Sequence, residues 1–204
     1  MPSGLCRLCE RQSELQLSHV LPAFAYRWLR ESSGNGHLRN SREPNKRTQD
    51  GLKFYWLCAE CEELFSRNET AFAGRLFHPY LKASGQIFPY SSWLIHFCTS
   101  VSWRVLRFYR DEGHLQSWEP EAIARVESAE AVWRDVLLGK RSNPGVFQQH
   151  ILPLIQGTGP RFAKRLDALR SIFINHDLPE SKKVLQQMIT FGESDLQTYD
   201  FFCW

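Results

Sequence analysis

Apolar residues recur at three- and four-residue steps from Trp93 to about Arg110, where Trp93, Leu94, Phe97, Val101, Val105 and Phe108 make one stripe. That period predicts a long amphipathic helix. A second helix is expected from Pro120 to Leu138. Proline suits a first helical turn, where its missing N–H has no partner to lose, and Gly139-Lys140-Arg141 closes the far end. Shorter helices are expected over 147–154, 161–175 and 180–190. The N-terminal part reads differently. Leu15 to Pro22 is a short extended apolar run that delivers His19, and Pro22 to about Arg30 makes a short helix broken by Ser32-Ser33-Gly34-Asn35-Gly36. Leu52 to Leu57 is an apolar, aromatic strand, and Cys61 to Phe72 reads as a helix. Between these elements residues 37–47 are polar, basic and expected to be loop-like. Pro79 and Ser84-Gly85 mark a boundary. The pattern therefore predicts an α+β protein, with a small domain over residues 1–80 and a mainly α-helical domain over 81–204. The apolar end, Thr198 to Trp204, reads as the start of a strand. It needs cover from the helical domain, a subunit interface or a longer chain.

Composition narrows the class without naming a function. A chain of 204 residues with a net charge of +3 is that of an ordinary globular protein, too mildly basic for overall charge to make it a nucleic-acid binder. No stretch is long and apolar enough to span a membrane, and no signal peptide is expected, because the opening MPSGLCRLCE has no basic stretch followed by an apolar run. A cytoplasmic location is expected. Thiols stay reduced there, so the six cysteines point to metal ligands, catalytic groups or core residues rather than to disulfides.

The spacing of the cysteines decides among these. Cys6 and Cys9 form one C-x2-C pair, and Cys58 and Cys61 form another. A C-x2-C turn places two thiolates on one side of a tetrahedral ion, and two such turns complete a closed four-thiolate shell for a structural Zn2+. A redox C-x2-C normally opens a helix in a thioredoxin-like unit, where two copies are unexpected. The long insert between the pairs is where function is expected to sit.

Two zinc knuckles, a histidine in an H-[IV]-x-P setting after the first (His19-Val20-Leu21-Pro22) and a helix directly after the second resemble the HNH endonucleases with a ββα-metal site. The resemblance runs from Cys6 to Pro79. It implies a treble-clef, ββα fold, metal-dependent hydrolysis of nucleic-acid phosphodiesters with His19 as the general base, and a setting in bacterial defence or mobile elements. The base generates hydroxide from water, and a cation offsets the charge on the phosphate. Ser18, Lys53 and Glu62 depart from the family pattern at positions that usually carry an acidic residue or histidine, an asparagine, and a histidine or asparagine. Glu62 and Glu69 are seven residues apart on the expected helix and so share a face. They are the candidate ligands for a catalytic Mg2+ or Mn2+.

Arg39, Arg42, Lys46 and Arg47 in the polar segment are the candidate phosphate contacts, so DNA or RNA is the expected partner. The helical domain is expected to bind a protein partner, to self-associate or to position substrate. Trp103, Arg104 and Arg107 are expected to serve packing and surface solvation, and the basic face of Arg161, Lys164 and Arg165 is a lesser candidate for nucleic-acid contact. The alternative reading is a zinc module without catalysis that binds nucleic acid or a protein.

Overall fold

The computed structural model describes residues 1–149 apart from 34–35, 41–42, 49 and 83–87, and for 39, 40, 43, 44 and 46 the backbone alone. The helices expected beyond residue 150, the Arg161 face, the apolar terminus and Arg42 lie outside the described residues.

Strand β1 (Ser3–Leu5) pairs antiparallel with β2 (Gln12–His19), Ser3 opposite Glu14, so that the first cysteine pair sits in the connecting turn. The other edge of β2 pairs antiparallel with β5 (Lys53–Cys58), giving the sheet order β1-β2-β5. The β2–β5 register slips between Gln16 and Leu17, because Gln16 faces Leu57 while Leu17 faces Tyr55. Trp56 is thus an extra residue on β5. A bulge of this kind re-aims side chains, and here three successive residues, Trp56, Leu57 and Cys58, are buried. The Trp56 carbonyl, without a partner in the β2 ladder, accepts the Arg7 N–H at 2.8 Å and ties the first knuckle to the sheet.

Helix α1 (Ala23–Ser32) follows β2, and the polar insert then forms a two-stranded hairpin, β3 (Leu38–Asn40) with β4 (Glu43–Thr48). This segment was expected to be a loop. It has no alternation of apolar and polar residues to announce strands, and the ladder pairs Leu38 with Thr48 and Arg39 with Arg47.

Helix α2 (Ala59–Phe72) starts at the second cysteine pair, with Glu60 and Glu62 in its first turn, where carboxylates favour the helix dipole. Cys61, Phe65 and Phe72 form its buried stripe. A π-helical turn (Ala73–Phe77) leads into α3 (His78–Lys82), and Phe77 packs on Phe24 of α1 with ring centroids 5.1 Å apart. Helix α4 (Ser92–Asp111) crosses α2, and α5 (Pro120–Leu137) packs on α4, both close to their expected bounds. Phe147, expected to open another helix, closes a turn instead: its N–H donates to the Pro144 carbonyl and its own carbonyl accepts the Trp133 indole N–H.

One hydrophobic core joins these elements. Cys6, Leu8, Leu15, Trp56, Leu57, Cys58, Cys61 and Phe65 share it with Trp103 of α4 and Leu137 of α5. A second aromatic group links α2 to α4, where the Phe72 and Phe97 rings stack at 3.8 Å. The architecture is mixed α and β, with no helix among the described residues long and apolar enough to cross a membrane.

Candidate metal centre and histidine site

The sheet and α2 bring the four predicted cysteines together. The Sγ atoms of Cys6, Cys9, Cys58 and Cys61 all lie within 4.8 Å of one another, and Cys6, Cys58 and Cys61 are buried. Zn–S bonds of about 2.3 Å in a tetrahedron require sulfur separations of roughly 3.8 Å, and Cys9 Sγ lies 3.8 Å from Cys58 Sγ. The cysteines are unbonded thiols, and no other group of three or more His, Cys, Asp or Glu side chains among the described residues is close enough to hold one ion. The quartet thus fits a structural zinc.

Local backbone geometry builds this shell. The Glu10 N–H donates to the Cys6 carbonyl, and Glu10 itself adopts the left-handed conformation, with φ 59°, that turns the chain after Cys9. The Cys58 N–H donates to Cys6 Sγ at 3.4 Å, and Arg11 Nε donates to Cys9 Sγ at 3.4 Å while its guanidinium pairs with Glu60. A hydrogen bond from Cys61 lowers the Cys6 thiol to about 4 and raises Cys61 in return. Burial raises Cys58. One thiolate is already favoured, and a dication favours all four.

His19 ends β2 directly across the ladder from Lys53. Its side chain is 19% exposed, and Nε2 lies 2.9 Å from Asp50 Oδ1. Asp50 is a residue that sequence reasoning missed. Its Oδ1 also accepts the Gly51 N–H at 2.8 Å, and Oδ2 accepts from Lys53 Nζ at 2.5 Å. Desolvation works against the charged form of Asp50, but the Lys53, His19 and Gly51 hydrogen bonds outweigh it and hold the carboxyl well below its usual range. The Tyr26 ring lies alongside the imidazole, with centroids 6.2 Å apart, and burial raises the Tyr26 phenol. An Asp-Gly pair before a strand is a turn signal in the sequence, but its meeting with His19 follows only from the antiparallel pairing of β2 with β5.

The two glutamates are used differently from the expectation. Glu62 Oε2 accepts from the buried Ser18 hydroxyl at 2.6 Å. Glu69 Oε1 lies 2.7 Å from Nη2 of Arg104, whose side chain is only 2% exposed. The N–H is not aligned on Glu69, so this contact is one of charge rather than of a directed hydrogen bond. The same guanidinium donates through Nη1 to the His19 carbonyl at 3.1 Å and stands over the Phe65 ring. Glu69 thus reaches the His19 backbone through Arg104, and together with Glu62 and His19 it forms no ion-holding group among the described residues. A catalytic Mg2+ or Mn2+ has no support here, because one carboxylate neutralises a buried arginine and the other is bound to a buried hydroxyl.

Arg104 was expected to serve packing and surface solvation, and the structure buries it. It occurs seven residues after Phe97 and four before Phe108, inside the apolar stripe of α4, and that position is the signal that could have marked it as buried. Of the basic insert, Arg47 is exposed on β4 and Arg39 is its cross-strand neighbour in register. The side chains of Arg39 and Lys46 lie outside the description.

Compared with known proteins, the chain matches no family model, no curated protein and no solved structure. Its class is therefore set by the site itself, a mixed α and β protein with a four-cysteine cluster fit to hold zinc.

Proposed function

We propose that the protein hydrolyses nucleic-acid phosphodiesters on a zinc-stapled, HNH-like scaffold, with His19 as the general base. The observation that carries this reading is the Nε2 contact of a partly exposed His19 with the anchored Asp50 carboxylate. A histidine held through one ring nitrogen by a carboxylate, with its other nitrogen free, is the arrangement that general-base chemistry uses. Lys53 lies across the ladder from His19, and the hairpin carries Arg39 and Arg47; basic residues of this kind suit a polyanion, which supports the reading. The reading routes no step through a divalent ion at Glu62 and Glu69.

Purified protein and its His19→Ala variant, incubated with single- and double-stranded DNA and RNA in Mg2+, Mn2+ or EDTA, test the proposal. Cleavage by the parent that falls ~10²- to 10⁴-fold in the variant is expected. Equal cleavage by both proteins overturns the role of His19.

A second reading is favoured by the engagement of Glu62 and Glu69 in Ser18 and Arg104 contacts. In it the scaffold binds nucleic acid through the hairpin and cuts nothing. Binding without cleavage of any substrate selects that reading.

A further inference from the structure

The proposed base can act only if its ring presents a lone pair to water, and His19 has two nitrogens that can carry the single proton of neutral imidazole. The surroundings of Asp50 settle which. Its Oδ1 meets His19 Nε2 at 2.9 Å and the Gly51 N–H at 2.8 Å, and its Oδ2 meets Lys53 Nζ at 2.5 Å. Two of these, the Gly51 N–H and the Lys53 ammonium, are donors whatever the state of His19. A group so surrounded is ionised and only accepts, so the nitrogen facing it must carry the proton. Nδ1 makes no hydrogen bond to the described residues.

We infer that Asp50 is the positioning residue of His19: it fixes the Nε2–H tautomer and leaves Nδ1 as the nitrogen that takes the proton from water. This deepens the hydrolytic reading and rests on it for its catalytic meaning. In the step, Nδ1 removes a proton from water and the resulting hydroxide oxygen bonds to phosphorus. The P–O ester bond breaks with its electron pair going to the leaving oxygen, and that oxygen takes a proton from the imidazolium or from solvent. The positive charge that His19 gains faces the Asp50 carboxylate. Lys53 keeps Asp50 in place from the strand opposite His19, and Gly51 supplies its backbone donor. The Gly51 position also admits the Tyr26 ring, because a Cβ there would meet Tyr26 Cζ at 1.9 Å.

The test uses the full chain, with the Asp50→Asn and Asp50→Glu variants and a His19→Gln variant that assigns the His19 signals. Long-range 1H–15N spectra near pH 8 read the tautomer, and the nucleic-acid cleavage assay reads the chemistry. The inference expects an Nε2–H tautomer in the parent and a mixed or Nδ1–H population in Asp50→Asn, whose amide can donate as well as accept. It also expects cleavage at least ~10²-fold lower in Asp50→Asn, with partial recovery in Asp50→Glu. An unchanged tautomer in Asp50→Asn overturns the inference whatever the cleavage assay shows, and so does an Nδ1–H tautomer in the parent. If the tautomer depends on Asp50 but the parent cleaves nothing, the positioning role stands and the hydrolytic reading falls.

Discussion

Gly51 shows how one residue carries two jobs. Its N–H holds Asp50, and its lack of a side chain lets Tyr26 lie beside His19. A Cβ at 1.9 Å from Tyr26 Cζ cannot be accommodated without moving a ring that is part of the packing around His19. Gly51→Ala is therefore expected to destabilise by roughly 1–3 kcal/mol, as overpacked sites do, measured by urea unfolding. A change near zero would mean that Tyr26 swings clear at no cost. Arg104 presents the opposite problem, a charge 2% exposed whose ion pair is Glu69 and whose guanidinium donates to the His19 and Ser100 carbonyls. Removing one member of a buried pair leaves the other uncompensated, so Glu69→Leu and Arg104→Met should each cost about 3–5 kcal/mol. The double variant should lose clearly less than the sum of the two, and a strictly additive double-mutant cycle would show that the charges are not coupled.

At the scale of elements, the β3–β4 hairpin is the least legible part of the chain. Strand signals in a sequence come from alternation and from β-branched or aromatic residues, and residues 38–48 are mostly polar. Antiparallel backbone pairing defines this hairpin. Its register sets Arg39 opposite Arg47, and like charges directly opposite in a ladder are unfavourable in isolation. An anion at the hairpin removes that repulsion. Arg47→Glu should leave thermal stability unchanged or slightly raised, because an opposite-charge cross-strand pair contributes roughly 0.2–1 kcal/mol. If the protein binds nucleic acid as proposed, the variant's affinity in fluorescence anisotropy should fall, with the salt dependence shallower by about one unit. An unchanged affinity would remove the hairpin from the binding surface. The β5 bulge, by contrast, leaves a trace in the sequence, since Trp56-Leu57-Cys58 is an unbroken apolar run at the end of a strand.

On the scale of the whole molecule, the cysteine quartet and helices α4 and α5 belong to one packed core. Trp103 and Leu137 lie in the same cluster as Cys6, Cys58 and Cys61, and Arg7 and Glu10 of the first knuckle pair with Asp111 of α4 and Arg134 of α5. The described residues fall within one compact unit, Met1–His150. Zinc binding and helix packing should therefore stand or fall together. One zinc per chain is expected by elemental analysis, and Cys58→Ser or a strong chelator should abolish cooperative unfolding, followed through the fluorescence of Trp103 and its neighbours. A chelated protein that keeps its full melting transition would show that the quartet is dispensable for the fold.

Much of this was legible in the chain by itself. The C-x2-C spacings determined the four cysteines as a set, because two such turns complete a tetrahedral thiolate shell; helical periodicity placed α4, and Pro120 with Gly139-Lys140-Arg141 placed α5, to within a residue or two of their bounds. His19 could be singled out by its setting, but its partner could not. Which groups meet across the fold depends on strand register and on how helices cross, and neither is encoded in local periodicity. Antiparallel pairing carried Asp50 to His19, the crossing of α4 over α2 gave Glu69 to Arg104 instead of to a metal ion, and the fit of α2 against β2 gave Glu62 to Ser18. Those three meetings were decided only by the tertiary structure, because a buried charge or hydroxyl takes whichever partner the packing brings within reach.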